Sequence, residues 1–333
     1  MTAAARPEWA DCVVVESVEV ADRARRITLE RSTPTGVRAA AGTHLDVEVP
    51  LPGGRDVRSY SIVESDAVGS RFTITVLRTR FSRGGSVFMH ELAVGDTVVA
   101  TQPLQDFPLG TGADGYVLLA GGIGVTALVE AARQLRRRGT EYQLVYVGRQ
   151  RTAMAYLDAL EAEHGDRLTV RIDEEGTGLD VAQLVEEVAA RPGRQELVMC
   201  GPVRLMDAVR RAWATTGRSM ADLRFETFGS SGWFDAQSFE VEIPELGITA
   251  TVAPNQTALE ALSAAGADLM WDCRKGECGL CELRVVTVDG VLDHRDVFYS
   301  DEQKGKADRI CVCVSRAAPP TDGGPARVVL AIP

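Results

Sequence analysis

The spacing of the cysteines near the carboxyl-terminal end constrains this chain more than any other feature of its sequence. Cys273, Cys278 and Cys281 are separated by four and by two residues, which is the plant-type spacing for three thiolate ligands of one [2Fe-2S] cluster. The remaining ligand is expected from Cys311 or Cys313, further along the chain. The spacing therefore predicts a cluster-binding domain at this end of the protein.

A structural zinc site with four cysteine ligands is the competing interpretation, because soft thiolates bind zinc as well as iron–sulfur clusters. Zinc sites usually pair two short C-x2-C knuckles, whereas three cysteines share one loop here. Gly276 and Gly279 separate these cysteines and would let backbone N–H groups approach the inorganic sulfides. The loop favours the cluster, but spacing alone leaves either Cys311 or Cys313 as the fourth ligand and the other as a buried thiol.

Composition argues against several classes of partner. A net charge of −11 disfavours nucleic acid and anionic membranes, although a cationic protein partner stays possible. No apolar run is long enough to span a membrane, and the amino-terminal residues lack the layout of a signal peptide. We therefore expect a cytoplasmic protein whose 7 cysteines are free or metal-bound rather than paired in disulfides.

The hydrophobic pattern changes twice along the chain and predicts a multidomain protein. In residues 1–112 we expect an antiparallel β-barrel with strands at 13–15, 27–30, 45–49, 72–77 and 97–100. In residues 113–230 the pattern predicts a doubly wound α/β domain. Its strands are expected at 116–120, 142–147, 168–172 and 196–200, and its helices at 125–137, 153–163, 181–190 and 204–215.

The remaining residues, 236–333, follow a linker predicted at 229–232. They predict strands at 239–243 and 248–252, a helix at 258–264, and the cysteine loop. A strand at 281–288 and a closing strand at 310–315 complete the pattern, with Cys311 and Cys313 on one face of the last strand. Together these elements predict a compact α+β domain.

Two motifs in the expected barrel have the chemistry of a phosphate-binding and ring-binding site. Arg58-Ser59-Tyr60-Ser61 offers a guanidinium, hydroxyls and an aromatic ring, which can pair with a phosphate and stack on a planar ring. The tetrapeptide alone also fits an exposed Arg beside a core Tyr. Arg83-Gly84-Gly85-Ser86 adds weight, because a glycine-rich turn can present backbone N–H groups and a cation to a phosphate.

The α/β region contains a glycine-rich turn between an expected strand and an expected helix. Gly121-Gly122-Ile123-Gly124-Val125-Thr126-Ala127 satisfies G-x-G-x-x-A from Gly122, and this context predicts a pyrophosphate at the helix N-terminus. The dinucleotide fingerprint next requires Asp or Glu after the following strand, but Gly148 and Arg149 stand there. Arg149 and Arg151 can face a ribose or a 2′-phosphate, or they can belong to a solvated loop.

Two further motifs end strands of this region. Cys200-Gly201-Pro202 leads from a strand into a helix, which suits close approach of a nicotinamide, although a lone cysteine there can equally be a packing residue. Phe225-Glu226-Thr227-Phe228 can touch a redox cofactor or belong to the core. The 4 histidines have no metal-ligand spacing, and we assign no catalytic residue.

Taken as a set and in this order, these motifs resemble those of the phthalate dioxygenase reductase family of flavin and [2Fe-2S] reductases, which includes vanillate demethylase reductase subunits. The resemblance runs from about Cys12 to Ile332 and includes His294-Arg295-Asp296 and Cys313-Val314-Ser315-Arg316. It implies a flavin-binding barrel over 1–112, a ferredoxin-reductase-like NAD(P)H domain over 113–230, and a plant-type [2Fe-2S] ferredoxin domain over 236–333.

Residue by residue, the resemblance implies that Arg58, Tyr60 and Ser61 bind the flavin and that residues 83–86 hold its phosphate. It implies a nicotinamide-dinucleotide site at Gly122, Gly124, Thr126 and Arg149, and places Phe225 and Glu226 beside the flavin. The family pattern favours Cys313 over Cys311 as the fourth cluster ligand, FMN over FAD, and NADH over NADPH. Residues 103–109 and Ala127 depart from the pattern.

The activity that the resemblance implies is that of the reductase component of a multicomponent oxygenase. Electrons would pass from NAD(P)H through the flavin and the cluster to a separate terminal oxygenase, usually Rieske-type in this family, with a cytochrome P450 as the alternative partner. An electron carrier with an inactive flavin domain is a further alternative. We expect a monomer, because one chain carries all three modules, and an acceptor that docks where Arg274, Lys275 and Glu277 offer charge.

Overall fold

The computed structural model describes residues 7–51, 54–229, 231–320 and 323–332. The chain divides into two compact units. The first contains the described residues up to Gly201 together with Ala212–Glu226, and the second contains those of Pro202–Arg211 and of residues 227–333. Ser230, within the expected linker, lies outside the described residues, as do Pro52 and Gly53.

Six antiparallel strands close into a barrel at the start of the first unit. They are β1 (Trp9–Ala21), β2 (Ala24–Arg31), β3 (Thr43–Leu51), β4 (Gly54–Ser65), β5 (Arg71–Leu77) and β6 (Thr97–Thr101). Their order is β4-β5-β2-β1-β6-β3, and a pairing of β3 with β4 closes the ring. The helix α1 (Gly85–Glu91) separates β5 from β6, and the two-residue strand β7 (Leu104–Gln105) pairs with β3.

Alternation of apolar residues explains why these segments form a barrel. Ile27 and Leu29 of β2 and Leu45, Val47 and Val49 of β3 are buried at every second position, which is the period of a strand with one face in a core. The antiparallel barrel is therefore confirmed. The strand β4 was not expected from the sequence, because polar and charged residues occupy most of its positions from Gly54 to Ser61.

A five-stranded parallel sheet with helices follows in the chain. Its elements are β8 (Gly115–Gly121), α2 (Val125–Arg138), β9 (Tyr142–Gly148), α3 (Leu157–His164), β10 (Leu168–Ile172), α4 (Val181–Ala190), β11 (Gln195–Cys200), α5 (Val203–Ala214) and β12 (Leu223–Glu226). The strand order is β10-β9-β8-β11-β12, so the direction of winding reverses between β8 and β11. The doubly wound α/β fold is confirmed, and its topological switch point lies between these two strands.

One expected helix begins later than its sequence pattern indicates. A single turn at Arg151–Ala153 is followed by Tyr156 with φ of 65°, a left-handed conformation that bulky residues rarely adopt. The helix α3 therefore starts at Leu157. The Tyr156 hydroxyl bonds Thr75 of the barrel strand β5, and the Asp22 N–H donates to the Thr152 carbonyl at 2.9 Å, so this irregular segment attaches the sheet to the barrel.

The second unit contains a smaller α+β fold. Its elements are β13 (Phe239–Ile243), β14 (Ile248–Val252), α6 (Ala258–Ala264), β15 (Glu282–Asp289), β16 (Val291–Asp293), α7 (Asp301–Lys306), β17 (Arg309–Cys311), β18 (Arg316–Ala318) and β19 (Ala326–Ala331). The main sheet has the order β14-β13-β19-β15-β17, with β13 and β19 parallel and the other neighbours antiparallel. The predicted α+β class is confirmed.

The expected closing strand at 310–315 is wrong, because the chain turns within it. β17 ends at Cys311, and the N–H groups of Val314 and Ser315 donate to the Cys311 carbonyl at 3.3 and 3.0 Å. Cys313 therefore lies in a tight turn rather than on the strand face of Cys311. The last strand of the sheet is instead β19, which the sequence pattern did not single out.

Among the described residues, no helix has the length and apolar character needed to cross a membrane.

Candidate cofactor sites

A partly buried guanidinium, that of Arg58, marks the first candidate site, on the barrel strand β4. The Arg58 Nη1 atom donates to Asp56 Oδ2 at 2.5 Å and to the Val57 carbonyl at 2.9 Å. Its Nη2 atom is buried and has no hydrogen-bond partner among the described residues. A buried N–H without an acceptor costs about 1–3 kcal/mol, so this site fits an anionic ligand such as a phosphate.

The glycine-rich turn lies directly against this guanidinium. A Cβ at Gly85 would lie 2.9 Å from the Arg58 Cγ and Nε atoms, so only glycine lets the turn approach Arg58 this closely. Gly84 has φ of 93° and donates its N–H to Ser82 Oγ at 3.1 Å. The Ser86 hydroxyl donates to the same Ser82 oxygen at 2.9 Å. The structure thus places Gly85, within this serine-containing turn, against the Arg58 side chain.

The remaining residues of the first motif divide between the two faces of β4. Tyr60, two positions from Arg58, lies on the same face, and burial raises the pKa of its phenol, which therefore stays neutral. Ser59 and Ser61 lie on the other face. The Ser59 hydroxyl donates to Asp46 Oδ1 at 2.6 Å, and Ser61 is buried. Arg83 is half-buried at the start of the turn.

The second candidate site lies where the strands β8 and β11 end, at the switch point of the parallel sheet. A Cβ at Gly124 would lie 2.2 Å from the Cys200 carbonyl oxygen and 2.9 Å from the Gly201 nitrogen. Only glycine therefore lets the first turn of α2 pass this strand end. Gly121 ends β8, and Gly122 adopts φ of 54°. In open α/β sheets, ligands bind in this crevice.

Other predicted residues converge on the same edge of the sheet. Cys200 is fully buried and pairs in register with Ala120 on one side and Glu226 on the other. Phe225 precedes Glu226 on β12, and Pro202 precedes α5. The Thr126 hydroxyl is buried and donates to the Ile123 carbonyl at 2.9 Å, which fixes the turn. These residues therefore occupy the carboxyl ends of neighbouring strands.

The two arginines after β9 have different surroundings. Arg151 forms ion pairs with Glu175 at 3.1 Å and with Glu161 at 3.4 Å. Arg149 is exposed at the end of β9, and its side chain forms no ion pair within the described chain. Its carbonyl accepts the N–H of Glu174 at 3.1 Å. Arg149, unlike Arg151, is therefore available to a ligand at the sheet edge.

The third candidate site is the cysteine loop of the second unit. The N–H groups of Lys275 and Glu277 each donate to Cys273 Sγ at 3.4 Å. Gly276 and Gly279 have φ of 76° and 75°, and a Cβ on Gly279 would lie 2.3 Å from the Phe298 ring. Backbone N–H groups of the loop therefore donate to the Cys273 sulfur, and their expected approach to the inorganic sulfides stays a prediction.

The thiol of Cys313 lies beside two thiols of this loop. Its hydrogen bond lowers the pKa of Cys273 to about 4, with help from the backbone N–H groups. Hydrogen bonds from Cys311 and Cys313 lower the pKa of Cys281 to about 3. Cys311 contacts Cys281 and Tyr299, while burial raises the pKa of Cys278. Thiolates are the form that binds metal, so this group of sulfurs fits a cluster.

Asp296, whose carboxylate is buried, contacts both segments that carry these cysteines. Asp296 is fully buried. Its Oδ1 accepts the Tyr299 N–H at 3.0 Å, and its Oδ2 accepts the Ser315 hydroxyl at 3.1 Å. A Cβ on Gly276 would lie 2.9 Å from the Asp296 Cα. The His294-Arg295-Asp296 motif contributed to the family resemblance, but the sequence did not indicate this role for it.

Within the described ranges, no three His, Cys, Asp or Glu side chains converge on a single metal-ion position. A [2Fe-2S] cluster distributes its ligands over two iron atoms. The donor set, with three thiols on one loop and a fourth in a nearby turn, fits that arrangement.

A family model independently identifies the cysteine-bearing segment. Residues 241–318 match the family described as a 2Fe-2S iron-sulfur cluster binding domain. The match includes the loop cysteines together with Cys311 and Cys313. The cluster interpretation is confirmed, and the zinc interpretation has no support from this comparison.

Longer similarities cover all three modules. The chain is 36% identical over 281 residues to the vanillate O-demethylase oxidoreductase of Pseudomonas sp. (strain HR199 / DSM 7063), covering 83% of this chain and 87% of that one. The solved structure of phthalate dioxygenase reductase, described as a modular structure for electron transfer from pyridine nucleotides to [2Fe-2S], is 28% identical. It superposes with a TM-score of 0.70, covering 97% of this chain and 98% of that chain.

A self-sufficient cytochrome P450 monooxygenase of type IV also contains a similar segment. Its crystal structure is 34% identical with a TM-score of 0.63, covering 97% of this chain but 41% of that chain. The present chain therefore spans about two fifths of that protein.

Replacement of Gly124 tests the second site. In Gly124→Ala the added Cβ would collide with the Cys200 carbonyl, so the turn must move away from the strand end. We expect the KM for NADH to rise about tenfold, equivalent to about 1.4 kcal/mol, with unchanged flavin and iron content. Steady-state reduction of ferricyanide measures this effect. Gly305→Ala, where a Cβ would meet open space, is the control, and an unchanged KM in Gly124→Ala would contradict the assignment.

Proposed function

Since the chain belongs to the phthalate dioxygenase reductase family and is an NAD(P)H-dependent flavin and [2Fe-2S] oxidoreductase of a multicomponent oxygenase, we propose that it uses NADH and FMN to supply a Rieske-type terminal oxygenase. The observation that carries this proposal is the presence of three candidate cofactor sites in one chain. They are the unsatisfied Arg58 guanidinium, the Gly124 turn at the switch point, and the thiols around Cys273.

When bound, the flavin supplies the conversion between the two-electron chemistry of a nicotinamide and the one-electron chemistry of the cluster. Arg58 and the hydroxyls of Ser82 and Ser86 would hold the flavin phosphate, and the neutral Tyr60 ring would pack against the flavin. Gly124 and the N-terminus of α2 would receive the pyrophosphate of the dinucleotide. The protein's work is to bind and orient these groups, and no side chain is required to move a proton during hydride transfer.

At the proposed cluster site, residues of this chain stabilise the negative charge of the thiolates. The N–H groups of Lys275 and Glu277 donate to Cys273 Sγ, which stabilises the thiolate form. Gly276 gives the loop its left-handed turn. Asp296 fixes this loop relative to the turn that bears Cys313.

FMN is the flavin that the family resemblance favours, and the phosphate-binding groups beside Arg58 suit its single terminal phosphate. Chromatography of the flavin released on denaturation identifies the bound form. We expect FMN, and release of FAD would contradict this part of the proposal.

NADH is the proposed reductant because three consecutive carboxylates follow the strand beside Arg149. Asp173, Glu174 and Glu175 are exposed, and the Glu174 N–H bonds the Arg149 carbonyl. A 2′-phosphate near Arg149 would face this negative charge, and like charges at close range repel. Arg149 would instead contact the adenosine ribose or the pyrophosphate.

The coenzyme preference can be measured directly. We expect kcat/KM to be at least tenfold higher for NADH than for NADPH. The double variant Asp173→Asn/Glu174→Gln should raise kcat/KM for NADPH about fivefold, because it removes repulsion worth about 1 kcal/mol. The control is the double variant Asp158→Asn/Glu186→Gln, which removes equal charge elsewhere on the same unit. Faster turnover of wild-type protein with NADPH would contradict the proposal.

Cys273, Cys278, Cys281 and Cys313 are the proposed cluster ligands. Cys313 is preferred over Cys311 because its thiol lies beside those of both Cys273 and Cys281, whereas the thiol found beside Cys311 is that of Cys281. Cys311 would then be a core thiol at the end of β17.

A matched pair of variants tests this assignment. Cys313→Ala should lose the [2Fe-2S] electron paramagnetic resonance signal and most of its iron, because one iron loses a ligand. Cys311→Ala should retain both, since it removes a buried thiol of nearly the same accessibility. Flavin content and far-ultraviolet circular dichroism control for folding. The opposite pattern, with the cluster retained in Cys313→Ala and lost in Cys311→Ala, would make Cys311 the ligand.

A cytochrome P450 is the second candidate partner. Its support is the similar segment in a self-sufficient P450 monooxygenase. The Rieske-type partner is favoured because the family resemblance runs along the whole chain, and because the similar chains of separate reductases match over most of their length. The proposal includes domain limits of 1–112, 113–230 and 236–333, a monomer, and a cytoplasmic location that keeps the thiols reduced.

A further inference from the structure

Four apolar side chains around the cysteine loop are exposed to solvent. The exposed fractions are 74% for Met270, 52% for Trp271, 49% for Leu280 and 43% for Phe298. Met270 and Trp271 precede the first loop cysteine, Leu280 stands before the last one, and the Phe298 ring lies against Gly279. We call these four residues the apolar rim. Large apolar side chains exposed around one loop can form an interaction surface.

Arg274 and Glu277, two of the charged residues of the loop, have partners within the same unit. Arg274 pairs with Glu260 at 3.1 Å and lies over the Trp271 ring at 5.2 Å. Glu277 accepts the Thr227 N–H at 3.1 Å. Lys275 is half-buried and also takes part in an interaction. The expected docking of an acceptor at these three charges stays a prediction, and the apolar rim offers a surface that does not depend on them.

Two carboxylates border the rim. Asp268 and Asp272 are exposed and stand on either side of Met270 and Trp271 in the chain, and neither forms an ion pair within the described ranges. Beside Trp271 is a pocket of about 280 Å³, which can receive an apolar side chain. The local surface therefore combines an apolar centre with unpaired negative charge.

We propose that the apolar rim, together with Asp268 and Asp272, is the docking surface for the electron acceptor, a protein whose own docking face has apolar side chains ringed by Lys and Arg. This inference rests on the proposed function, because it requires a cluster that passes electrons to a separate protein. Complementary charge fits a partner of this kind, and the chain carries a net charge of −11. Electron transfer requires close approach, and these residues adjoin the proposed ligands Cys273, Cys278 and Cys281 in sequence.

Apolar contact and charge steering should respond differently to salt at this surface. Trp271 would supply desolvated contact area, and aromatic anchors of this kind dominate the binding energy of interfaces. Asp268 and Asp272 would act at longer range by steering a cationic partner, and salt screens that effect. The apolar contribution should therefore resist salt, and the acidic contribution should not.

The experiment uses cytochrome c, a cationic haem protein, as the probe acceptor, and ferricyanide as a small acceptor that needs no docking surface. Trp271→Ala should lower kcat/KM for cytochrome c about tenfold and leave NADH-dependent ferricyanide reduction unchanged. Trp9→Ala, which removes an exposed tryptophan from the barrel strand β1, should change neither. Equal cytochrome c rates in wild type and Trp271→Ala would overturn the proposal.

The charge contribution has its own pair of variants. Asp268→Asn/Asp272→Asn should lower kcat/KM for cytochrome c about threefold to fivefold at low ionic strength and flatten its dependence on salt. Asp166→Asn/Asp289→Asn removes the same charge elsewhere and should preserve the wild-type dependence. If both pairs reduce the rate equally, net charge rather than this surface steers the acceptor, and the assignment of Asp268 and Asp272 fails.

Two readouts distinguish the remaining outcomes. Wild-type protein that cannot reduce ferricyanide with NADH would refute the proposed electron path itself, independently of docking. Sedimentation tests whether a second copy covers the rim. A dimer that Trp271→Ala converts to a monomer would assign the rim to self-association and overturn its assignment to the acceptor.

Discussion

The proposed cluster ligands come from two segments that are distant in sequence, and the carboxyl-terminal unit depends on holding these segments together. Asp296 contacts both segments. Its fully buried carboxylate accepts from the backbone of Tyr299 and the hydroxyl of Ser315, and its Cα lies against Gly276. Burying a charge is costly unless it is hydrogen-bonded. The satisfied carboxylate therefore fixes the Cys313 turn beside the loop without requiring a continuous strand.

The other two candidate sites depend on glycines that let backbone segments approach their neighbours closely. Gly85 lets a turn lie against Arg58, and Gly124 lets a helix start beside the Cys200 carbonyl. At Arg58 the contact leaves a buried donor without an acceptor, which costs stability in the absence of a ligand. A bound anion would satisfy this donor, so binding energy and folding energy are coupled at this strand.

The cysteine spacing, the strand-turn-helix at Gly122 and the barrel alternation were readable from sequence because each depends on local pattern. β4 was missed because its site residues replace the apolar alternation of an ordinary strand. The turn at Cys313 was missed because it depends on backbone bonds to the Cys311 carbonyl. Likewise, the difference between Arg149 and Arg151 required the positions of Glu161 and Glu175, which no local pattern specifies.

In the proposed electron path, one chain carries electrons from a nicotinamide through a flavin to a [2Fe-2S] cluster. Its most direct test is an anaerobic titration with NADH, followed by visible absorption and by the electron paramagnetic resonance of the reduced cluster. We expect that the flavin and cluster bands both bleach at stoichiometric NADH and that the cluster signal appears. Flavin bleaching with a cluster that stays oxidised, or a protein without either chromophore, would contradict it.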